Sequence, residues 1–280
     1  MIDVERIVAN SIPLNSEGSH VIYWMTSARR SRWNHALDHA IDLANEANVP
    51  LIVVESLALG HRWANDRIHT FVLQGMIDNR KLFESAPLTY IPYVETKHGQ
   101  AAGLLRSFTK GAVAMVIDDY PTYMPRDVAN RAMETAECCV IVVDSNGIVP
   151  LRTPQRSFTT AYSFRRYLHK NVLGFLAKPP MAEPLKALND LPDVKAISEA
   201  AFARVNVPIT PYEFIWRVSE ASREGRDALS YLDIDHEVSP IDSTTGGSVR
   251  ARTELSKFIE QRLNHYHCLL YTSPSPRDRG

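Results

Sequence analysis

Residues 21–37 read VIYWMTSARRSRWNHAL, and this stretch decides the fold. Residues 21–25 are an unbroken apolar run of strand length. An arginine-rich loop follows at once. From there Trp33, Leu37, Ala40, Ile41, Ala44 and Ala47 recur at helical spacing. A strand that runs through a loop into a helix is the opening unit of an open α/β sheet, and such sheets place ligands beyond the carboxyl ends of their strands.

Working outward, the same alternation continues. Pro50 closes the first connection, and residues 51–55 (LIVVE) are β-branched and apolar, as a strand buried on both faces requires. Helical spacing returns over residues 63–83 through Ile68, Phe71, Val72, Gly75, Met76 and Asn79. Residues 88–94 form a third strand, with Pro92 predicting an edge or irregular position. Residues 100–110 read as a helix capped by Gly111, and residues 113–117 (VAMVI) as a fourth strand. Residues 125–135 suit a helix with Pro125 at its first position. Residues 139–143 (CVIVV) are a fifth strand, ended by the turn-forming Asp144-Ser145-Asn146-Gly147. The prediction is an α/β fold: a doubly wound, parallel, five-stranded, Rossmann-like sheet over residues 20–150, preceded by an N-terminal extension, residues 1–19.

After Pro150 the style changes. Residues 151–211 are polar and proline-rich (Pro179, Pro180, Pro184, Pro192) and read as an interdomain linker carrying short helices. Residues 212–230 and 249–267 have helical patterns, so 212–267 reads as the start of a helical domain. Leu255, Phe258, Ile259 and Leu263 form an apolar stripe, and Gly246-Gly247 sits in a flexible loop before it. The last stretch, 268–280, has no periodicity. Its CLLYTSPSPRD looks like an in-frame translation of a sequencing-library adapter. Set aside on that basis, Cys268 included, it leaves natural sequence ending near His267.

Composition excludes several classes. A net charge of −1 over 280 residues gives no global attraction to nucleic acid, so DNA binding would need a local basic patch. Three cysteines, two of them adjacent (Cys138, Cys139), do not make a disulfide framework and suit a reducing cytoplasm. No stretch approaches the ~18 apolar residues of a membrane span, and residues 1–19 lack a signal-peptide pattern. The expectation is a cytoplasmic monomer without membrane contact. There is no G-x-G-x-x-G and no phosphate-loop motif. His35 and His39 lie one helical turn apart with no third ligand indicated, so no metal site is assigned. From the residues alone, the chemistry stops at a nucleotide-like or chromophore-like site at the carboxyl edge of the sheet.

Five motifs in order carry the reading further: residues 21–37; Val116-Ile117-Asp118-Asp119-Tyr120; residues 143–150 (VDSNGIVP), the most specific; residues 165–176 (RRYLHKNVLGFL); and residues 255–266 (LSKFIEQRLNHY). Together they resemble the DNA photolyase/cryptochrome family, and the class II cyclobutane-dimer photolyases and their bacterial relatives look most similar. Class II members usually show Asp-Asn where this chain has Trp33-Asn34, and Arg30-Ser31-Arg32 is more basic than usual, which suggests a divergent bacterial branch.

The resemblance implies part of a light-dependent deoxyribodipyrimidine photolyase, which splits cyclobutane pyrimidine dimers in UV-damaged DNA by electron transfer from reduced FAD. It also implies a second, light-harvesting antenna chromophore of deazaflavin or folate type. Met25, Arg29, Arg30, Asn34 and Asp119 would line the antenna site, arginine suiting an anionic or phenolate-bearing ligand. Tyr266 matches a flavin-contacting tyrosine. No catalytic residue is expected within this chain, and Trp24, Trp33, Trp63 and Trp216 come too early for the family's electron relay. The alternatives are a cryptochrome-like photoreceptor without repair activity and a stand-alone nucleotide-binding α/β module, which would end near Pro150.

Overall fold

The computed structural model describes residues 2–191, 195–219 and 229–266. The adapter-like stretch 268–280, with His267 and part of the helical pattern at 212–230, lies outside the described residues. Six strands form one sheet: β1 (Ile7–Ala9), β2 (Val21–Met25), β3 (Leu51–Leu57), β4 (Thr89–Val94), β5 (Ala114–Asp118) and β6 (Cys139–Val143). Their order is β1-β6-β5-β2-β3-β4. The five expected strands pair in parallel. The chain runs outward from β2 through β3 to β4, then returns to β5 on the other side of β2. The topological switch point therefore lies between β2 and β5, directly above the arginine-rich loop. Pro92 does sit on an edge strand, β4.

The structure adds a sixth strand that the sequence reading assigned to the N-terminal extension. β1 pairs antiparallel with β6, Ile7 opposite Val143 and Ala9 opposite Ile141. Three residues are too few to show alternation, and its anchor is a buried cation. Arg6 is 2% exposed and donates from Nη1 to the carbonyls of Asp144 and Gly147, both at 3.0 Å, and from Nη2 to that of Ile148. The turn it grips is organised by Asp144, whose carboxylate accepts from the backbone N–H groups of Asn146 (2.9 Å) and Leu151 (2.6 Å).

β2 is buried on both faces, as its uninterrupted apolar run requires. Val21, Tyr23 and Met25 face α1 (His35–Ala47), with Ala36, Leu37, Ala40 and Ile41 packed against them. Ile22 and Trp24 face the opposite layer, with Leu104 and Phe108 of α3 (Leu104–Thr109) and Ala129 and Ala132 of α4 (Tyr123–Thr135). α4 starts two residues before Pro125, which therefore occupies the third helical position, where its missing N–H is still one of the four that a helix start leaves unpaired. α3 is shorter than its pattern suggested, because Gly103 takes φ +78° and breaks the first turn. α2 (Asp66–Phe83) is capped by Asn65, whose side chain accepts from Ile68 N at 2.9 Å.

The segment after residue 150 returns to this core. α5 (Ala161–Leu176) buries no residue. Beyond it, Leu188 and Leu191 join the α1 layer, while Ala201 and Phe202 of α6 (Lys195–Arg204), with Val207, join the other. Arg204 Nη1 donates to the Ser107 carbonyl at 2.9 Å, and Ser107 Oγ donates to that of Ala201 at 2.8 Å. α7 (Tyr212–Ser219) packs on α2 through Ile215 and Val218. The last helix, α8 (Ser248–Gln261), crosses α2 at its N-terminus. Gly246-Gly247 is not a slack spacer there. A Cβ on Gly246 would lie 1.9 Å from the Phe71 carbonyl oxygen, and Gly247 holds φ +104°. Gln74 accepts from Gly246 N at 2.7 Å and Asp78 from Val249 N at 3.0 Å. Asp78 of α2 thus caps α8, and Gln74 holds the loop just before it.

Candidate ligand site at the sheet's carboxyl edge

The loop after β2 turns its backbone amides inward, onto the carboxylate of Asp118 at the end of β5. Oδ2 accepts from the N–H groups of Thr26 (2.8 Å), Ser27 (2.9 Å) and Ala28 (2.9 Å), and Oδ1 from the Tyr23 hydroxyl (2.8 Å). Asp118 is fully buried. In nucleotide-binding α/β units this concavity of amides holds a phosphate; here the chain's own carboxylate fills it. Burial, reinforced by Asp118, pushes the Tyr23 phenol well above its usual range, which keeps its donor proton in place.

Asn34 completes this knot. Its Oδ1 caps α1 by accepting from Ala36 N (3.0 Å) and Leu37 N (3.2 Å). Its Nδ2 donates to the Tyr23 hydroxyl and to the carbonyls of Ala28 and Arg30, at 2.9, 3.0 and 2.9 Å. Trp33, just before the cap, holds φ +52°. That is the left-handed region, which Asp and Asn enter more readily than a bulky aromatic.

A second buried carboxylate fixes Arg29. Glu55, at the end of β3, accepts from Arg29 Nη1 (3.0 Å), Asn79 Nδ2 (2.8 Å) and the Tyr90 hydroxyl (2.6 Å). Arg29 also donates to the carbonyls of Thr26 (3.0 Å) and Ser56 (2.6 Å). With Glu55 unexposed and Arg29 21% exposed, this pair is a rigid floor. Removing one partner would strand the other charge.

Above that floor opens a cavity of about 450 Å3, within the usual size of small-molecule sites. Ser27 and Arg29–Arg32 form one rim, Phe71, Val72 and Gly75 of α2 one wall, and Ala251, Arg252 and Leu255 of α8 the other. Arg30 donates to the Trp33 carbonyl (3.0 and 3.1 Å), and Arg32 pairs with Glu183. Arg252 has no ion-pair partner among the described residues. Among the described residues the one carboxylate in the lining, Glu55, is already paired with Arg29. The surroundings are therefore cationic at the rim and apolar on the walls, chemistry that receives a flat, anionic, partly apolar molecule.

Of the residues singled out in the sequence, Arg29 and Arg30 line this cavity. Met25 lies buried beneath it in the core, and Asn34 is spent on the loop and the helix cap. Asp119 lies on the β5–β6 side, paired with Arg152. Tyr266 is half-exposed after α8, its ring 5.6 Å from Phe258 in an edge-on contact. Sequence reasoning missed Phe71, Val72, Ala251, Arg252 and Leu255, because they reach the loop only through the α2–α8 crossing. The available signal was Gly75 with Gly246-Gly247, small residues that permit that approach. Among the described residues no group of three or more His, Cys, Asp or Glu is placed to hold a metal ion.

The fold is a doubly wound α/β unit, like the N-terminal α/β domain of photolyases. Known proteins similar to the chain are photolyases. The chain is 32% identical over 178 residues to the deoxyribodipyrimidine photo-lyase of Methanothermobacter thermautotrophicus, a match covering 63% of this chain and 39% of that protein. It is 28% identical over 179 residues to the enzyme of the same name from Arabidopsis thaliana, covering 62% and 35%. A bacterial class III photolyase from Agrobacterium tumefaciens shares the fold, with a TM-score of 0.54 at 17% identity over 90% of this chain and 46% of that one. No protein-family model matches the chain. These comparisons support the photolyase family without singling out class II. The chain spans well under half the length of the relatives it matches. Among the described residues no helix is long and apolar enough to cross a membrane.

Proposed function

We propose that this chain is the light-harvesting α/β portion of a deoxyribodipyrimidine photolyase, and that the cavity beside Arg29–Arg32 holds an antenna chromophore of deazaflavin or folate type. The observation that carries the reading is the cavity itself: arginines at the rim, Phe71, Val72 and Leu255 on the walls, and no unpaired carboxylate in its lining. Filling of the amide concavity by Asp118 argues against a stand-alone nucleotide-binding module, since a phosphate would compete with a buried carboxylate for the same three N–H groups.

Bound there, the chromophore would absorb light and pass excitation energy to flavin. Arg30 and Arg252 would pair with its anionic part, and the apolar walls would exclude water from its ring. Reduced FAD, the electron donor to the dimer in UV-damaged DNA, belongs to the same proposal. In this chain only Tyr266 is a candidate to touch it, and the described residues around Tyr266 form no cradle, so no step is assigned to flavin here.

Titrating the purified chain with 8-hydroxy-5-deazaflavin, followed by fluorescence, tests the reading. Saturable binding, at least about tenfold weaker (~1.4 kcal/mol) in the Arg30→Ala/Arg252→Ala variant, is expected. Binding indifferent to both arginines would remove the cavity from the proposal. The chain alone should not repair dimer-containing DNA under blue light; repair by it would place the chemistry in residues that this reading leaves without a catalytic role.

A further inference from the structure

We infer that a second cavity, on the β6 side of the arginine loop, binds a purine nucleoside 5′-monophosphate between the indole of Trp33 and the imidazole of His35. The cavity holds about 350 Å3, near the lower end of small-molecule sites, which suits a mononucleotide rather than a dinucleotide. The loop after β2 brings Trp33 and His35 to it, the turn after β6 brings Ser145 to Ile148, and the end of α5 brings Phe175, with Lys178 and two prolines beyond it. Arg30 is the one described residue that lines both this cavity and the chromophore cavity.

Three features of this cavity answer no need of the fold. His35 is 9% exposed and lines the cavity, yet its ring has no hydrogen-bond partner among the described residues; a buried polar group is ordinarily satisfied. Trp33 is 51% exposed at φ +52°, and its ring has no aromatic or cation contact among the described residues. Its backbone is tied down, the N–H to the Met181 carbonyl at 3.0 Å and the carbonyl to Arg30, so the loop holds the indole at the cavity wall. Backbone strain that local packing does not repay is characteristic of ligand-contacting positions. Finally, no described residue of the lining is a carboxylate. Lys178 stands at its edge, exposed and reaching Asp3 only at 3.5 Å.

The three features together select the ligand. Burial, reinforced by Arg6, holds the His35 imidazole down at about 4, so at neutral pH it offers one N–H and one lone pair. Such a ring reads the mixed donor and acceptor edge of a heteroaromatic base. The indole supplies a stacking face of two-ring size, which a purine covers, and Lys178 supplies a cation for a phosphate. A bare anion would leave the indole unused, and a purely apolar ligand would leave His35 unpaired. The loop amides that Asp118 occupies take no part, and none of this depends on a chromophore in the other cavity.

The test is isothermal titration calorimetry of the full chain with AMP, where one-to-one binding is expected. Trp33→Asn removes the ring and puts into the left-handed region a residue that enters it readily. It should weaken AMP binding by about 5- to 150-fold without lowering the melting temperature. His35→Ala should weaken it by about tenfold. Lys178→Ala should weaken binding of AMP and leave that of adenosine unchanged, while Trp63→Ala, which removes a half-exposed indole elsewhere, should change neither. Saturating 8-hydroxy-5-deazaflavin should not displace AMP. Four outcomes would overturn the inference: no saturable heat up to about 1 mM AMP, inorganic phosphate binding as tightly as AMP, wild-type affinity in both Trp33→Asn and His35→Ala, or displacement of AMP by the deazaflavin.

Discussion

Replacing Asp118 tests how the arginine loop is held. In Asp118→Ala the N–H groups of Thr26, Ser27 and Ala28 and the Tyr23 hydroxyl all lose their acceptor. Thr26 and Ala28 are buried, so protein offers them no substitute. Each stranded buried donor costs about 1–3 kcal/mol. Water entering the space left by the carboxylate recovers part of that, so a net loss of about 3–6 kcal/mol is expected. Asp118→Asn keeps one oxygen for the three amides, but its NH2 cannot accept from the Tyr23 hydroxyl, whose oxygen already accepts from Asn34 Nδ2. It gives up that bond and the charge assistance and should cost about 2–3 kcal/mol, less than the alanine variant. Urea unfolding followed by circular dichroism measures both. Formate should partly restore Asp118→Ala by occupying the vacated amide cradle, while leaving wild type and Asp118→Asn unaffected. Equal stability of the two variants, or a loss below about 0.5 kcal/mol in the alanine form, would refute the claim that this carboxylate organises the loop.

Two further outcomes follow from the packing and the buried titratable groups. Gly246→Ala puts a Cβ against the Phe71 carbonyl and should destabilise by about 1–3 kcal/mol while loosening α8; Gly60→Ala, with nothing within 4 Å, is the control and should change thermal stability little. Burial holds the His35 and His69 imidazoles down at about 4. They stay neutral when folded and gain protons on unfolding, so stability should fall as pH drops from about 6.5 toward 4. Asp38, pushed up to about 6 by burial, has the opposite sign and offsets one of the two below pH 6. These three groups alone give a loss on the order of 4 kcal/mol across that window, and His20, His39 and His61, whose imidazoles burial also holds down, add to it with the same sign; thermal melts at pH 7, 6, 5 and 4 check it, and a flat profile would contradict the burial of these groups.

The parallel strands were legible because each is a short apolar run between turn signals, and α1 and α2 because their spacing is regular. β1 was not, since a three-residue edge strand carries no period and its anchor, Arg6, reads as a surface residue until its carbonyl partners are seen. Residues 151–211 read as a linker because prolines and polar residues dominate them. The few apolar positions that return to the core, Leu188, Leu191, Phe202 and Val207, are too scattered to form a pattern. In the site, the loop arginines were visible at once, but Asn34, singled out as a ligand-lining residue, is consumed by the loop itself, and Asp118, which organises that loop, was passed over for its neighbour Asp119. Arg252 lies over 200 residues from that loop and reaches the cavity only through the glycine crossing. The hydrogen bonds sort the residues singled out by the resemblance: Asn34 and Arg29 hold the loop, while Arg30 is left at the cavity rim.

The most direct measurement of the central claim blocks the cavity without touching a charge. Ala251 is exposed on the α8 wall, and Ala251→Trp fills the space between α2 and α8 where the chromophore ring would lie. Titrated with 8-hydroxy-5-deazaflavin beside wild type, a folded Ala251→Trp protein should show no saturable binding up to concentrations that saturate the wild-type chain. Unchanged affinity in that variant would mean that the chromophore, if bound at all, sits elsewhere.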